Sequence, residues 1–313
     1  MNRYLLFPLI ILLAGCTARA QTPTGTQQST ITSAGHEWTY YVHVPKGYDK
    51  RTPLPVVLIL HGAGGNGKLY LERNNWRKTA DKHNFIAVAP DGLPARTKGR
   101  PSFLLNPRLW NSGQLRPFSP RSKIDDIQFF NDLLDEVQKK YKVDADRIYV
   151  TGHSNGAAMS YMLGAKLSER LAAIAPGMGQ NYTKGITPKR PLPTLVLLGT
   201  KDPLNPIEGG ESKLPWGKRT TPPVTKGLEA WAKVLGCPTK PKLVRNKNHV
   251  KIMKYGPGKN GVDLTVYYID GQGHGWPGVD EAGLPERLIG PHTDHVDANE
   301  VIWEFFRKHK KRQ

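Results

Sequence analysis

Apolar and polar positions along the chain follow two alternating rhythms. Short continuous apolar runs recur at residues 55–60, 85–90, 147–151, 172–176 and 194–199. Runs of this length predict strands buried on both faces of a parallel sheet. Residues 38–44 alternate instead, which predicts a half-buried strand stopped by Pro45-Lys46-Gly47. Residues 250–255 and 264–269 read as two further strands around a Gly/Asn/Lys turn. Between these runs the period changes. Ile124, Ile127, Phe130, Leu134, Val137 and Tyr141 recur at three- and four-residue steps, predicting a helix over residues 123–141. Leu228, Trp231 and Leu235 predict another over 224–235, and a helix is expected across 70–84. Asp297-Ala298-Asn299-Glu300 is a capping-box pattern ahead of a last helix carrying Val301, Ile302, Phe305 and Phe306. Strands alternating with helices imply an α/β fold: one doubly wound, mostly parallel sheet with helices on both faces.

Two stretches break the rhythm. Residues 93–122 are rich in Pro, Arg, Asn and Ser, and residues 203–222 in Pro and Gly. Irregular inserts of this length in a compact domain are usually functional loops. Trp110 lies inside the first, either lining a substrate cleft or packing within the loop; Trp216 and Trp276 are the other candidate cleft aromatics.

Composition adds a compartment and a charge. Residues 1–20 read as a signal peptide, with Arg3 ahead of an apolar run too short to span a membrane. Leu13-Ala14-Gly15-Cys16 resembles a bacterial lipobox, which would make Cys16 a lipidated mature N-terminus. The alternative is cleavage after Ala18-Arg19-Ala20. Residues 21–35 are mostly Thr, Gln, Ser and Gly and are expected to form a disordered tether, leaving 36–313 as a single catalytic domain. With Cys16 lipidated, Cys237 is the one remaining thiol and no intrachain disulfide is possible. The formal charge of +19 favours anionic surroundings. Nucleic acid is not an expected partner, because no reading module accompanies the basic residues. No metal is expected, since the His292, Asp294, His295 and Asp297 spacing fits no strong template.

The chemistry centres on Gly152-His153-Ser154-Asn155-Gly156, a G-x-S-x-G between an apolar strand and a helix rich in small residues. A serine held on such a turn is a candidate nucleophile. Its partners should follow strand ends, where sites form in parallel sheets. Asp202 follows the 194–199 run and His274 follows the 264–269 run. Ser154, Asp202 and His274 therefore stand in the order of α/β-hydrolase triads, as nucleophile, orienting acid and general base. Asp270 is the rival acid, but it stands only four residues before the base. Backbone N–H groups of Ala63, in His61-Gly62-Ala63-Gly64-Gly65, and of Asn155 would form an oxyanion hole. Asp125 and Asp126 are read as first-turn charges that complement a helix dipole.

Together, His61-Gly-Ala-Gly-Gly65, Ile124-Asp-Asp-Ile127, Val150-Thr-Gly-His-Ser-Asn-Gly156, Gly199-Thr-Lys-Asp202 and Gly273-His-Gly-Trp-Pro-Gly278 resemble the poly(3-hydroxybutyrate) depolymerase-like esterases. That branch of the α/β-hydrolases also holds feruloyl and acetylxylan esterases. The resemblance implies a cofactor-free serine esterase acting on polymeric or oligomeric esters, with Ser154, Asp202 and His274 as its triad. Ala63 stands where many relatives carry cysteine, and a cysteine pair common among relatives near position 237 is absent. The enzyme alternatives are a feruloyl, acetylxylan or short-chain carboxylesterase. A surface lipoprotein that binds polymer without catalysis is the non-enzyme alternative.

Overall fold

The computed structural model describes residues 24–214, 217–279 and 284–311. The targeting segment, Cys16 and Trp216 lie outside these residues. In chain order the strands are β1 (Gly25–Ser33), β2 (His36–Val44), β3 (Leu54–Leu60), β4 (Ile86–Pro90), β5 (Leu93–Pro94), β6 (Arg108–Leu109), β7 (Val143–His153), β8 (Ala173–Gly177), β9 (Thr194–Gly199), β10 (Gly210–Leu214), β11 (Gly217–Thr221), β12 (Lys242–Lys247), β13 (Val250–Tyr255) and β14 (Leu264–Ile269). The helices are α1 (Gly67–Arg73), α2 (Trp76–His83), α3 (Asp126–Lys140), α4 (Asn155–Lys166), α5 (Val224–Val234), α6 (Glu286–Ile289) and α7 (Ala298–Phe306).

Ten strands make the main sheet, in the order β1-β2-β4-β3-β7-β8-β9-β14-β13-β12. The six central strands from β4 to β14 run parallel, and an antiparallel pair closes each edge. This is the α/β-hydrolase fold, as expected. Alternate side chains of a strand face opposite sides, so β3 feeds two cores. Val56, Leu58 and Leu60 pack with α3, α4 and α5 residues such as Phe130, Met159 and Trp231. Val57 and Ile59 pack with Leu71, Trp76, Ile302 and Phe306 from α1, α2 and α7. Each such fully buried side chain stabilises the fold by about 1.5–3 kcal/mol relative to exposure. Helix α4 is small-residue-rich because it lies against the sheet: a Cβ on Gly164 would come within 2.9 Å of the Ile174 side chain.

Several expectations need correction. Residues 25–33 are no tether, because β1 pairs with β2 over its whole length. Its burial alternates only between intermediate and exposed until Ser33, so no apolar period betrays it. The helix expected over 70–84 is two, α1 and α2, broken where Asn75 takes a left-handed φ of 56°. Helix α3 starts three residues later than predicted, with the Asp125 carboxylate accepting from the Gln128 N–H as its N-cap. The 203–222 loop contains the β10–β11 ribbon. Strand β12 gave no signal because all six of its residues are exposed.

Candidate active site

The elbow is built by close approach. Strand β7 ends at His153, α4 begins at Asn155, and Ser154 sits between them at φ 56° and ψ −112°. A non-glycine residue there is strained and persists only when its surroundings impose it. The surroundings here are backbone. A Cβ on Gly152 would strike the Gly156 carbonyl, and one on Gly156 would strike the Leu60 carbonyl. The Ser154 N–H donates to the Gly177 carbonyl at 3.0 Å, fixing the turn to β8.

Strands β9 and β14 are parallel neighbours, so the loops that follow them lie side by side. The His274 Nδ1–H donates to Asp202 Oδ2 at 2.7 Å, with both side chains buried. The other Asp202 oxygen accepts from the Leu204 and Asn205 N–H groups, each at 2.8 Å. Three donors thus hold the carboxylate in one orientation. Gln272 braces the histidine loop: its Oε1 accepts from the Thr293 N–H and hydroxyl, and its Nε2 donates to the Gly275 carbonyl. Ser154 and His274 line one cleft of about 770 Å³, together with Ala63 and Asn155. The Asn155 N–H belongs to the first turn of α4, where a helix leaves its donors without intrahelical partners. In the facing loop the Gly64 N–H donates to Arg108 O and the Gly65 N–H to Gly62 O, which fixes the backbone on either side of Ala63.

Four further side chains support the site without having been singled out in the sequence. The first is His61, fully buried, with Nδ1–H donating to the Gly62 carbonyl at 2.7 Å and Nε2 accepting from the Gly92 N–H at 2.8 Å. Burial lowers its pKa to about 3, so the ring is neutral, as this pair of bonds requires. His153 is the second: its Nε2–H donates to the His274 carbonyl at 2.6 Å, and its Nδ1 accepts from the Tyr70 hydroxyl, the third, at 2.6 Å. The residue before Ser154 therefore grips the backbone of His274. The fourth is the Asn155 side chain, whose Oδ1 accepts from the Trp110 N–H at 2.7 Å and whose Nδ2 donates to Ser112 Oγ at 3.2 Å. A histidine and an asparagine flanking the serine were the available signal, but their partners lie 121 and 45 residues away.

The residues lining the cleft include neither Trp110 nor Trp276. Trp110 is fully buried, its indole N–H donating to the His61 carbonyl at 2.9 Å. It ties the 61–65 loop to the 93–122 insert. Trp276 is buried too, donating to Asn299 Oδ1 and packing edge-on against His153. Asp270, the rival acid, is exposed and accepts from the Thr200 hydroxyl, away from His274. Asp126 does more than offset a dipole. It is buried against Arg121 in a two-pronged ion pair, and burial pushes its carboxyl up while the guanidinium opposes the shift. That pair pins the insert, since Arg121 Nε also donates to the Leu93 and Leu109 carbonyls. Cys237 is buried, its thiol donating weakly to the Val262 carbonyl, and burial raises its pKa. It is an inert core thiol.

A strained serine thus stands at the β7–α4 elbow, and a buried Asp–His pair follows β9 and β14. The family described as "Putative esterase" matches residues 31–255. The chain belongs to that esterase family. Feruloyl esterase B of Piromyces equi is 28% identical over 257 residues, covering 78% of this chain and 45% of its own length. Poly(3-hydroxyalkanoate) depolymerase C of Paucimonas lemoignei is 26% identical over 182 residues, covering 58% of this chain and 40% of its own. The chain thus spans less than half the length of either relative. Among solved structures, an acetyl xylan esterase from Aspergillus awamori aligns with a TM-score of 0.55 at 16% identity, covering 80% of this chain and 94% of that one. An S-formylglutathione hydrolase from Agrobacterium tumefaciens aligns at 0.56 and 16%, covering 92% and 97%. At these identities the structures show the shared fold.

Proposed function

We propose that the chain is an exported serine esterase that hydrolyses polyester or polysaccharide-linked carboxylic esters through Ser154, His274 and Asp202. The observation that carries this reading is the buried 2.7 Å bond from His274 to Asp202 in the cleft that Ser154 lines. His274 Nε2 takes the proton from Ser154 Oγ as that oxygen attacks the ester carbonyl. Asp202 fixes the ring's orientation and stabilises the imidazolium, without becoming protonated itself. The Ala63 and Asn155 N–H groups receive the developing oxyanion, the donor geometry that usually contributes most to such catalysis. His274 then protonates the leaving alcohol, and water, deprotonated by the same ring, releases the acid from Ser154.

The choice of polymeric or oligomeric esters draws on the relatives named feruloyl esterase and poly(3-hydroxyalkanoate) depolymerase. Export and a lipid anchor at the bacterial envelope rest on residues 1–20 and on Cys16. The deciding test of the chemistry is hydrolysis of p-nitrophenyl butyrate by the wild type and by Ser154→Ala. Loss of at least about 10³-fold in kcat is expected on the precedent of serine triads, and equal rates would sink the assignment. Polyhydroxybutyrate film, methyl ferulate and acetylated xylan then rank the substrates. Mass spectrometry of the mature N-terminus tests the anchor: an unmodified start at Gln21 rules it out.

A further inference from the structure

The cleft is basic. Arg73, Arg116, Arg121, Lys218 and Arg219 all line it, and no Asp or Glu does among the described residues. Two of the five are already neutralised: Arg121 by Asp126, and Lys218 by Glu211 at 3.0 Å on the exposed β10–β11 ribbon. Arg73, Arg116 and Arg219 have no carboxylate partner among the described residues. Three unpaired guanidinium groups around one concave site repel one another and concentrate an anion there.

Arg219 is the best placed of the three. Strand β11 carries it over the acid loop, where its Nη2 donates to Asn205 Oδ1 at 3.1 Å and to the Leu204 carbonyl at 3.4 Å. Those two residues are the ones whose N–H groups orient Asp202, and Asn205 Nδ2 is itself anchored on the Met178 carbonyl. The guanidinium is therefore held fast within the catalytic neighbourhood. Among the described residues the protein uses only its Nη2, and Nη1 makes no bond to protein while not being buried. A fixed fork with unused donors is the geometry that favours a planar carboxylate over a neutral carbonyl.

We propose that this cleft selects esters carrying a free carboxylate besides the scissile bond, with Arg219 as the pairing residue and Arg73 and Arg116 supplying attraction. The inference rests on the esterase reading and names the substrate class for the same site. The carboxylate can sit on the acyl side, as in an acid-terminated oligoester, or on the alcohol side, as in a uronate-bearing saccharide. Matched substrates separate the two sources. On the acyl side, 4-nitrophenyl hydrogen glutarate is compared with its methyl ester; on the alcohol side, 4-acetoxybenzoate is compared with 4-acetoxybenzamide.

The readout is the ratio of kcat/KM, acid over neutral, within each pair for each protein. Because both members meet the same preparation, partial misfolding of a variant cancels. The expected result is a wild-type ratio of about tenfold or more in one pair, equal to one well-formed charged contact. That ratio should fall towards one in Arg219→Gln, shrink at high salt, and be partly kept in Arg219→Lys. A Ser154-dependent wild type with ratios at or below one in both pairs overturns the inference and leaves ester hydrolysis standing. An unchanged ratio in Arg219→Gln overturns the role of that residue. Hydrolysis of neither member overturns the esterase reading and this inference with it.

Discussion

Protonating His61 should cost the folded state heavily, and the cost can be worked out. The ring is fully buried, and both its nitrogens are committed in the neutral form: one donates to Gly62 and the other accepts from Gly92. Burial lowers its pKa to about 3 from the ordinary 6.5. A depressed folded pKa means that between these values the unfolded chain takes up a proton that the native state refuses. The stability contribution is therefore complete above about pH 6.5 and is lost as pH falls towards about 3. At about pH 5 the gap is roughly 1.5 pH units, and at 1.36 kcal/mol per unit the loss is about 2 kcal/mol. The assay is urea unfolding of the wild type and His61→Gln at about pH 7.5 and pH 5. Glutamine can still accept from the Gly92 N–H but does not titrate, so other pH-dependent groups cancel in the difference. The stability advantage of the wild type should shrink by about 2 kcal/mol between the two conditions. Parallel pH dependence in the two proteins would refute the buried neutral assignment.

Other expectations follow from single contacts. Asp202→Asn should lower kcat by about 10³–10⁴-fold with little change in KM, because the amide holds the wrong imidazole tautomer; steady-state kinetics on p-nitrophenyl butyrate checks this. Gly156→Ala forces a Cβ into the Leu60 carbonyl, and denaturant unfolding should show a loss above about 4 kcal/mol or no folded protein. Arg121→Met leaves the buried Asp126 carboxylate uncompensated and should cost about 3–5 kcal/mol in the same assay, much of it restored by adding Asp126→Leu.

Sequence reading reached the parts of this fold whose identity is local. Strands β3, β4, β8 and β9 are buried on both faces throughout, so their apolar runs are continuous and visible. That Asp202 and His274 meet was legible because both follow strand ends, and here β9 and β14 are neighbours. What escaped was held by long-range pairing or by backbone alone. Strand β1 is edge backbone bonded to β2, and β12 is exposed throughout; neither carries a hydrophobic period. The bonds from His153 to His274 and from Asn155 to Trp110 exist only once the sheet order is set. Trp110 shows the same limit from the other side. Its irregular loop left cleft lining and packing both open, and only the fold shows the indole buried with its N–H on the His61 carbonyl.

The central claim is that Ser154 forms a covalent acyl intermediate. The most direct measurement is peptide mass spectrometry after the mature protein reacts with a p-nitrophenyl phosphonate, which phosphonylates activated nucleophilic side chains. The account predicts a stoichiometric adduct on the peptide containing Ser154, formed at least about 10²-fold more slowly in His274→Ala, where the general base is missing. An adduct on another residue, or ester hydrolysis by a protein that takes up no label at Ser154, would contradict it.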